Sequence, residues 1–236
     1  MRSPHVPRIA LVLLAGIAGV SSAAAAATAQ TASPLATAQP GEAAAIARAR
    51  ADSIRHPYTE ADVHFMSGMI GHHAQAIVMG GWAPTHGASA QLRTLAARII
   101  NAQQDEIRTM QQWLRDRQQP VPEAGPKPMT MMMNGVEQEM LMPGMLTEAQ
   151  MTQLDAARGP DFDRLFLEFM IQHHTGAVSM VKDLFNSYGA AQDELTFKLA
   201  SDINVDQTTE IARMQRMLAA LILDDTTAAH PAAGNP

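Results

Sequence analysis

The chain has 236 residues, a hydrophobic fraction of 47%, 4% aromatics, 17 Met and no Cys, so its core must be filled by aliphatic and thioether side chains rather than rings. Without a thiol, a disulfide framework, a thiolate metal site, c-type haem attachment and a lipoprotein anchor are all excluded. A formal charge of −6 offers no electrostatic footprint for nucleic acid.

Residues 1–29 read as a secretory signal peptide. Arg2 and Arg8 precede the apolar run Ile9 to Val20, and the small-residue stretch Ser21 to Ala29 holds several Ala-x-Ala options. The apolar run is short for a membrane span and no later segment could cross a bilayer. The expectation is a periplasmic or secreted protein with no stable membrane insertion after cleavage. Once the two arginines are removed, 15 basic residues face 23 acidic ones, a charge of −8.

Residues 30–57 comprise an aperiodic tether, QTASPLATAQPG, and an Ala-rich helical segment, Glu42 to Arg55, ended by Pro57. The first repeat spans 58–117. Thr59 with Asp62 forms a capping-box variant, helical spacing runs to about Trp82, APTHGAS makes a turn, and a second helix covers about Ala90 to Arg117. A Pro- and Met-rich linker, 118–146, follows. It opens with QQPVPEAGPKP, whose four prolines in eleven residues end regular structure, and holds seven Met in the seventeen residues from Met129 to Met145.

The second repeat spans 147–223. Thr147 with Gln150 caps a short helix ending near Gly159, and long helices follow over about Asp161 to Ser187 and Ala190 to Leu223, joined by a tight turn at Tyr188 and Gly189. Residues 224–236 read as a disordered tail.

Phe65 to Met79 reads FMSGMIGHHAQAIVM and Phe166 to Met180 reads FLEFMIQHHTGAVSM. Asp62, Phe65, Met69, Ile70, His72, His73, Ala76 and Met79 recur at a shift of 101, while Gln103, Glu106, Ile107 and Met110 recur as Gln207, Glu210, Ile211 and Met214 at a shift of 104. A helical hairpin cannot bury its apolar face alone, so two copies predict an all-α, antiparallel four-helix bundle built from repeated hairpins.

On a helix, Asp62, Phe65, Met69, His72, Ala76 and Met79 form one stripe. Met69 and Met79 come within side-chain reach of His72, and Met66 and Met69 of His73. Met170 and Met180 keep the pattern around His173 and His174, but Leu167 replaces Met66. Glu106 and Glu210 could orient a His or act as ligands themselves, and Gln103, Gln207, Met110 and Met214 share their faces. Asp62 and Asp163 suit the helix dipole, with metal ligation or a bond to His as the alternative. His56, His64 and His86 lack counterparts and suit solvated or capping roles.

Soft thioether with borderline imidazole suits copper, Cu(I) or Cu(II), better than Zn, Mg or Ca. The competing reading makes the HH pairs polar core elements satisfied by hydrogen bonds and the Met stripe core filler. Met129, Met131, Met132, Met133, Met140, Met142 and Met145 have no helical stripe to fill; they read as a mobile Cu(I) capture arm or as cover for the bundle seam.

The MI-x-HH-x-x-A-x-x-M helix followed by Q-x-x-E-I-x-x-M, with the phrases APTHGAS, PGMLT and FDRLF, resembles domain-of-unknown-function family 305. The resemblance covers roughly Tyr58 to Arg115 and Leu146 to Leu218. It implies a ferritin-like four-helix fold, export and a part in copper handling. By motif match it makes Met69, His72, His73, Met79, Met170, His173, His174 and Met180 the candidate ligands.

Three function classes follow: a non-catalytic copper-binding protein that sequesters or passes on the ion, with another periplasmic copper protein as partner; a ferritin-like di-metal oxidoreductase; and a metal-free structural bundle. The enzyme class typically uses Glu-x-x-His pairs, and no Glu of this chain has His three residues later. Haem is disfavoured by the scarcity of aromatics. The reading chosen is the copper-binding bundle, not an enzyme.

Overall fold

The computed structural model describes residues 58–126, 129–133 and 136–229, with positions 41 and 44. The expected signal peptide, the tether apart from helical Gly41, and the N-terminal Ala-rich segment apart from helical Ala44 lie outside the described residues, as do residues 230–236. The described chain is all-α except for one two-stranded hairpin: α1 (Glu60–Trp82), α2 (Ala90–Asp116), β1 (Met129–Met133), β2 (Val136–Met140), α3 (Glu148–Ala156), α4 (Pro160–Asn186) and α5 (Glu194–Ala229).

Both expected capping boxes form. Thr59 accepts from the Asp62 amide while its own N–H donates to the Asp62 carboxylate at 2.7 Å, and Thr147 pairs with Gln150 in the same way. Each box satisfies amide groups that the first helical turn leaves without partners. Pro160 sits in the first turn of α4, where no backbone donor is needed.

α1 packs on α2 and α4 on α5, and the two hairpins join where α1 meets α4. The carboxylates of Asp62 and Asp163 fasten this arrangement in antiparallel sense. Asp62 Oδ1 accepts from the Ala191 amide at 2.7 Å, and Asp163 accepts from the Ser89 amide at 3.1 Å, so each helix start is tied to the far end of the other hairpin. Both residues are buried. They serve as ties between hairpins, and their hydrogen bonds go to backbone and Thr59 rather than to an imidazole. At one end of the bundle the Trp113 indole N–H donates to Asp193 at 2.7 Å, and Arg117 lies 3.1 Å from the same carboxylate with its guanidinium 4.1 Å above the Trp113 ring. Burial opposes ionisation of Asp193, but Thr196, Trp113 and Arg117 together hold its carboxyl below the usual range.

Three expectations change. α5 begins at Glu194 rather than Ala190, because Asp62 holds the Ala191 amide in the turn, where Ala191 has φ +54°, and Asp193 caps the helix through Thr196. The same helix runs to Ala229, into what was expected as tail; Pro231 is the next residue that cannot continue it. The Met-rich linker is not without regular structure: β1 and β2 pair antiparallel from Met129↔Met140 to Met133↔Val136. The signal was the Asn134-Gly135 pair between the strands.

After β2 the chain drops into the bundle. Leu146 exchanges two hydrogen bonds with the Gln75 side chain, at 2.7 and 3.0 Å, as a neighbouring strand would. Gly144, at φ +78°, lies against α4, and a Cβ on Gly176 would stand 1.8 Å from the Pro143 carbonyl oxygen. Met142 and Met145 are buried in the core, which removes them from any mobile capture arm. The side chains of Met129, Met131, Met132, Met133 and Met140 lie outside the described residues.

Gly176→Ala therefore forces the linker out of its seat, with an expected loss of about 2–3 kcal/mol in urea unfolding, whereas Gly81→Ala, where no atom stands within 4 Å, should not destabilise.

Candidate metal centre

The stripe predicted on each repeat brings all four central histidines to the meeting of α1 and α4. His72, His73, His173 and His174 are each 0% exposed. The His72 and His173 rings face one another, with centroids 3.8 Å apart and planes tilted by 41°, while His73 and His174 flank them at 6.3 and 6.1 Å from their sequence neighbours.

Every one of these rings is held through Nε2. His72 Nε2 donates to the Pro143 carbonyl at 3.0 Å and His173 Nε2 to the His72 carbonyl at 2.9 Å. A carbonyl oxygen only accepts, so both rings carry their proton on Nε2. His73 Nε2 lies 2.6 Å from Glu106 Oε2, and His174 Nε2 lies 2.8 Å from Glu210 Oε2, the equivalent pair of the second repeat. In the neutral ring the carboxylate fixes the same tautomer. All four Nδ1 atoms then present lone pairs, and all four are buried without a hydrogen-bond partner.

Such atoms are costly, because a buried acceptor loses water and gains nothing in return. The same condition holds for both amide atoms of Gln103 and of Gln207, one helical turn before Glu106 and Glu210. Six equivalently placed side chains, three per repeat, share the deficit.

The thioethers of the four long helices fall into two packing groups. Met69, Met110 and Met180 pack in one cluster with Met66, Met142 and Met145; Met79, Met170 and Met214 pack in the other, where Leu167 takes the place of Met66. The three-Met groups are images of one another under the repeat. Met69 and Met79, expected together beside His72, thus lie in separate clusters, each grouped with a Met of α4. Among the described residues no three His, Asp or Glu side chains converge where one ion would sit, so an ion at the imidazoles needs thioether or amide donors as well.

Burial sets the charge state. Desolvation first, and the neighbouring His73, push His72 down to about 3; burial, with His72 beside it, holds His173 well below its ordinary value. Both rings are neutral at pH 7. On the outer face, burial and the nearby Glu106 and Glu210 raise Asp206 above the usual carboxylate range.

His86 is no solvated residue. It is buried, stacks on Trp82 at 5.8 Å, meets Phe162 at 5.1 Å and donates to Asp155 across to α3. His64 is exposed and His56 lies outside the described residues. The sequence reading missed the Pro143 carbonyl and the Gln75 clamp. A signal existed, since the repeat places Gly176 opposite Gln75 in register and so marks one seat for the linker.

The family model for the domain of unknown function DUF305 matches residues 62–218. The chain belongs to the DUF305 family. A DUF305 structure from Streptomyces coelicolor is 30% identical, with a TM-score of 0.58, over 68% of this chain and 93% of that one. The DUF305 chain is also similar to CopM in its Cu(II)-bound form, 30% identical with a TM-score of 0.53 over 67% of this chain and 96% of CopM. CopM in its Cu(I)-bound form is 28% identical, with a TM-score of 0.51, over 70% of this chain and 98% of CopM. No curated protein sequence matches at a significant level. Among the described residues no helix is long and apolar enough to cross a membrane.

The depressed imidazoles predict acid sensitivity of the metal-free protein. The folded state keeps His72 and His173 neutral while the unfolded chain binds protons below about pH 6.5, so stability is present above that pH and falls as pH drops toward 3. The expected slope is about 1.4 kcal/mol per pH unit for each ring. Urea unfolding between pH 7.5 and 5, in chelator, should show it, and His72→Gln/His173→Gln should flatten it.

Proposed function

We propose that this DUF305 protein is an exported, non-catalytic copper-binding protein that sequesters the ion or passes it to another periplasmic copper protein. The observation that carries the reading is the set of four buried imidazoles, each anchored through Nε2 with Nδ1 unpartnered, on helices that also bury two matched Met groups. Neutral imidazole with thioether suits copper in either oxidation state. The carboxylates of Glu106 and Glu210 sit where outer groups orient a ligating His and raise its basicity. The copper-bound forms of CopM support the same reading at about 30% identity, and the residue pattern of 1–29 supports export.

The proposed ligands are His72, His73, His173 and His174 through Nδ1, completed by Met69, Met79, Met170 and Met180. Met110 and Met214 belong to the same packing groups.

The metal-free bundle is the competing reading, favoured by the lack of three converging His, Asp or Glu side chains among the described residues. A competition titration of the mature chain against a chromophoric Cu(I) chelator, repeated with Cu(II), separates the two. The parent should reach a stoichiometric endpoint, and a variant with all four histidines changed to Ala should bind at least tenfold more weakly. Equal uptake by both proteins moves the copper to the Met-rich linker; no uptake by either, in both oxidation states, leaves the histidines as architecture. Glu106→Gln/Glu210→Gln, which keeps the shape and removes the charge, should cost about 10–100-fold in affinity.

A further inference from the structure

An ion bound at these imidazoles needs a way in, since all four rings are 0% exposed. Where their hydrogen-bond partners reach solvent, the bundle has a cavity of about 170 Å³ between α2 and α5, with Glu106, Asp206 and Glu210 among its lining residues. Two of these carboxylates belong to both sides of the wall. Glu106 and Glu210 line the cavity, remain 15% and 20% exposed, and touch Nε2 of the fully buried His73 and His174.

A second feature points to a ligand. Gln103 and Gln207, 2% and 3% exposed, also line the cavity, and neither amide has a hydrogen-bond partner. Oxygen donors from carboxylate and amide attract a hydrated dication, and Arg98 is the single cation among the lining residues. No three His, Asp or Glu donors among the described residues converge on one point. The cavity therefore lacks the arrangement of a site that strips an ion of its water and keeps it.

We propose that this cavity is the entry site at which a hydrated Cu(II) ion is collected by Glu106, Asp206 and Glu210 and handed inward to His73 and His174. The inference rests on the copper reading and adds the route. The step is ligand exchange without change of oxidation state: carboxylate oxygens replace waters on the ion, the His73–Glu106 or His174–Glu210 bond opens so that the ring can turn, and the Nδ1 lone pair replaces a carboxylate oxygen while the proton stays on Nε2. The wider grooves beside Met142, one lined by Ser67 and Gly71 and the other by Phe65 and Met180, are the alternative entrance. The linker closes them from the rings, because the Pro143 carbonyl sits on His72 Nε2.

Stopped-flow loading of the metal-free mature chain with Cu(II), and its removal by EDTA, tests the route. Ala102 is exposed, lines the cavity and has no polar side-chain group with which to hold an ion. Ala102→Phe should slow loading and removal by the same factor, at least tenfold, with the endpoint and affinity within twofold of the parent and an unchanged thermal midpoint. Asp206→Asn should slow loading about threefold, and Ser67→Phe, in the opposite groove, should change neither rate. A parent that binds Cu(II) but loads Ala102→Phe at the parental rate, or a Ser67→Phe variant that alone is slowed, overturns the route and leaves the copper reading standing. A parent that takes up no Cu(II) overturns the route, and the copper reading falls with it only when Cu(I) uptake is absent too.

Discussion

The contact between His72 and His173 sits where the two hairpins meet, and much of the bundle follows from keeping those rings neutral and oriented. Each gives its Nε2 proton to a carbonyl, one from the linker and one from the facing helix. His73 and His174 are held instead by carboxylates that reach toward solvent. A protonated ring here would put a cation in an apolar core beside another imidazole, at a cost neither carbonyl could offset. The acceptors fix the tautomer, and the tautomer leaves each Nδ1 lone pair buried and unpartnered in a core rich in Met.

The two repeats match in most of their buried polar contacts and Met packing. Asp62 and Asp163 make matching ties, Glu106 and Glu210 make matching bonds to His, and the three-Met groups are images of one another. Asymmetry enters through the acceptors of His72 and His173, through Met66 against Leu167, and through Met142 and Met145, which the linker adds to one cluster only. One packing group is therefore richer in thioether than the other, and two ions bound by the two repeats would not meet equal surroundings.

Much of this was legible in the residues. Period and register alone placed the hairpins, the capping boxes and the central histidines, because buried stripes and cap chemistry are local. What was not legible depended on distant partners. Asp62 and Asp163 look like first-turn residues serving the dipole until the opposite hairpin brings Ala191 and Ser89 to them. His86 looks like a loop residue until α3 and Phe162 cover it. Met69 and Met79 share a helical face, but the antiparallel partner divides that face between two packing groups. The β-hairpin was a different kind of miss, since Asn134-Gly135 carried the turn signal and the density of Met drew the reading toward a loose arm.

The pairing of Gln75 with Gly176 has a consequence for how the chain finds its fold. A bundle made from two like hairpins offers a connecting segment two equivalent seats, one on each side of the central rings. Occupying the other would press the linker backbone on α1 where it now presses on α4. Gln75 supplies donor and acceptor to Leu146 on one side, and Gly176 leaves room there for Pro143 and Gly144. In the other seat the repeat exchanges them, so that a glutamine would fill the space the backbone needs. The duplicated protein thus labels its own left and right with a single pair of residues.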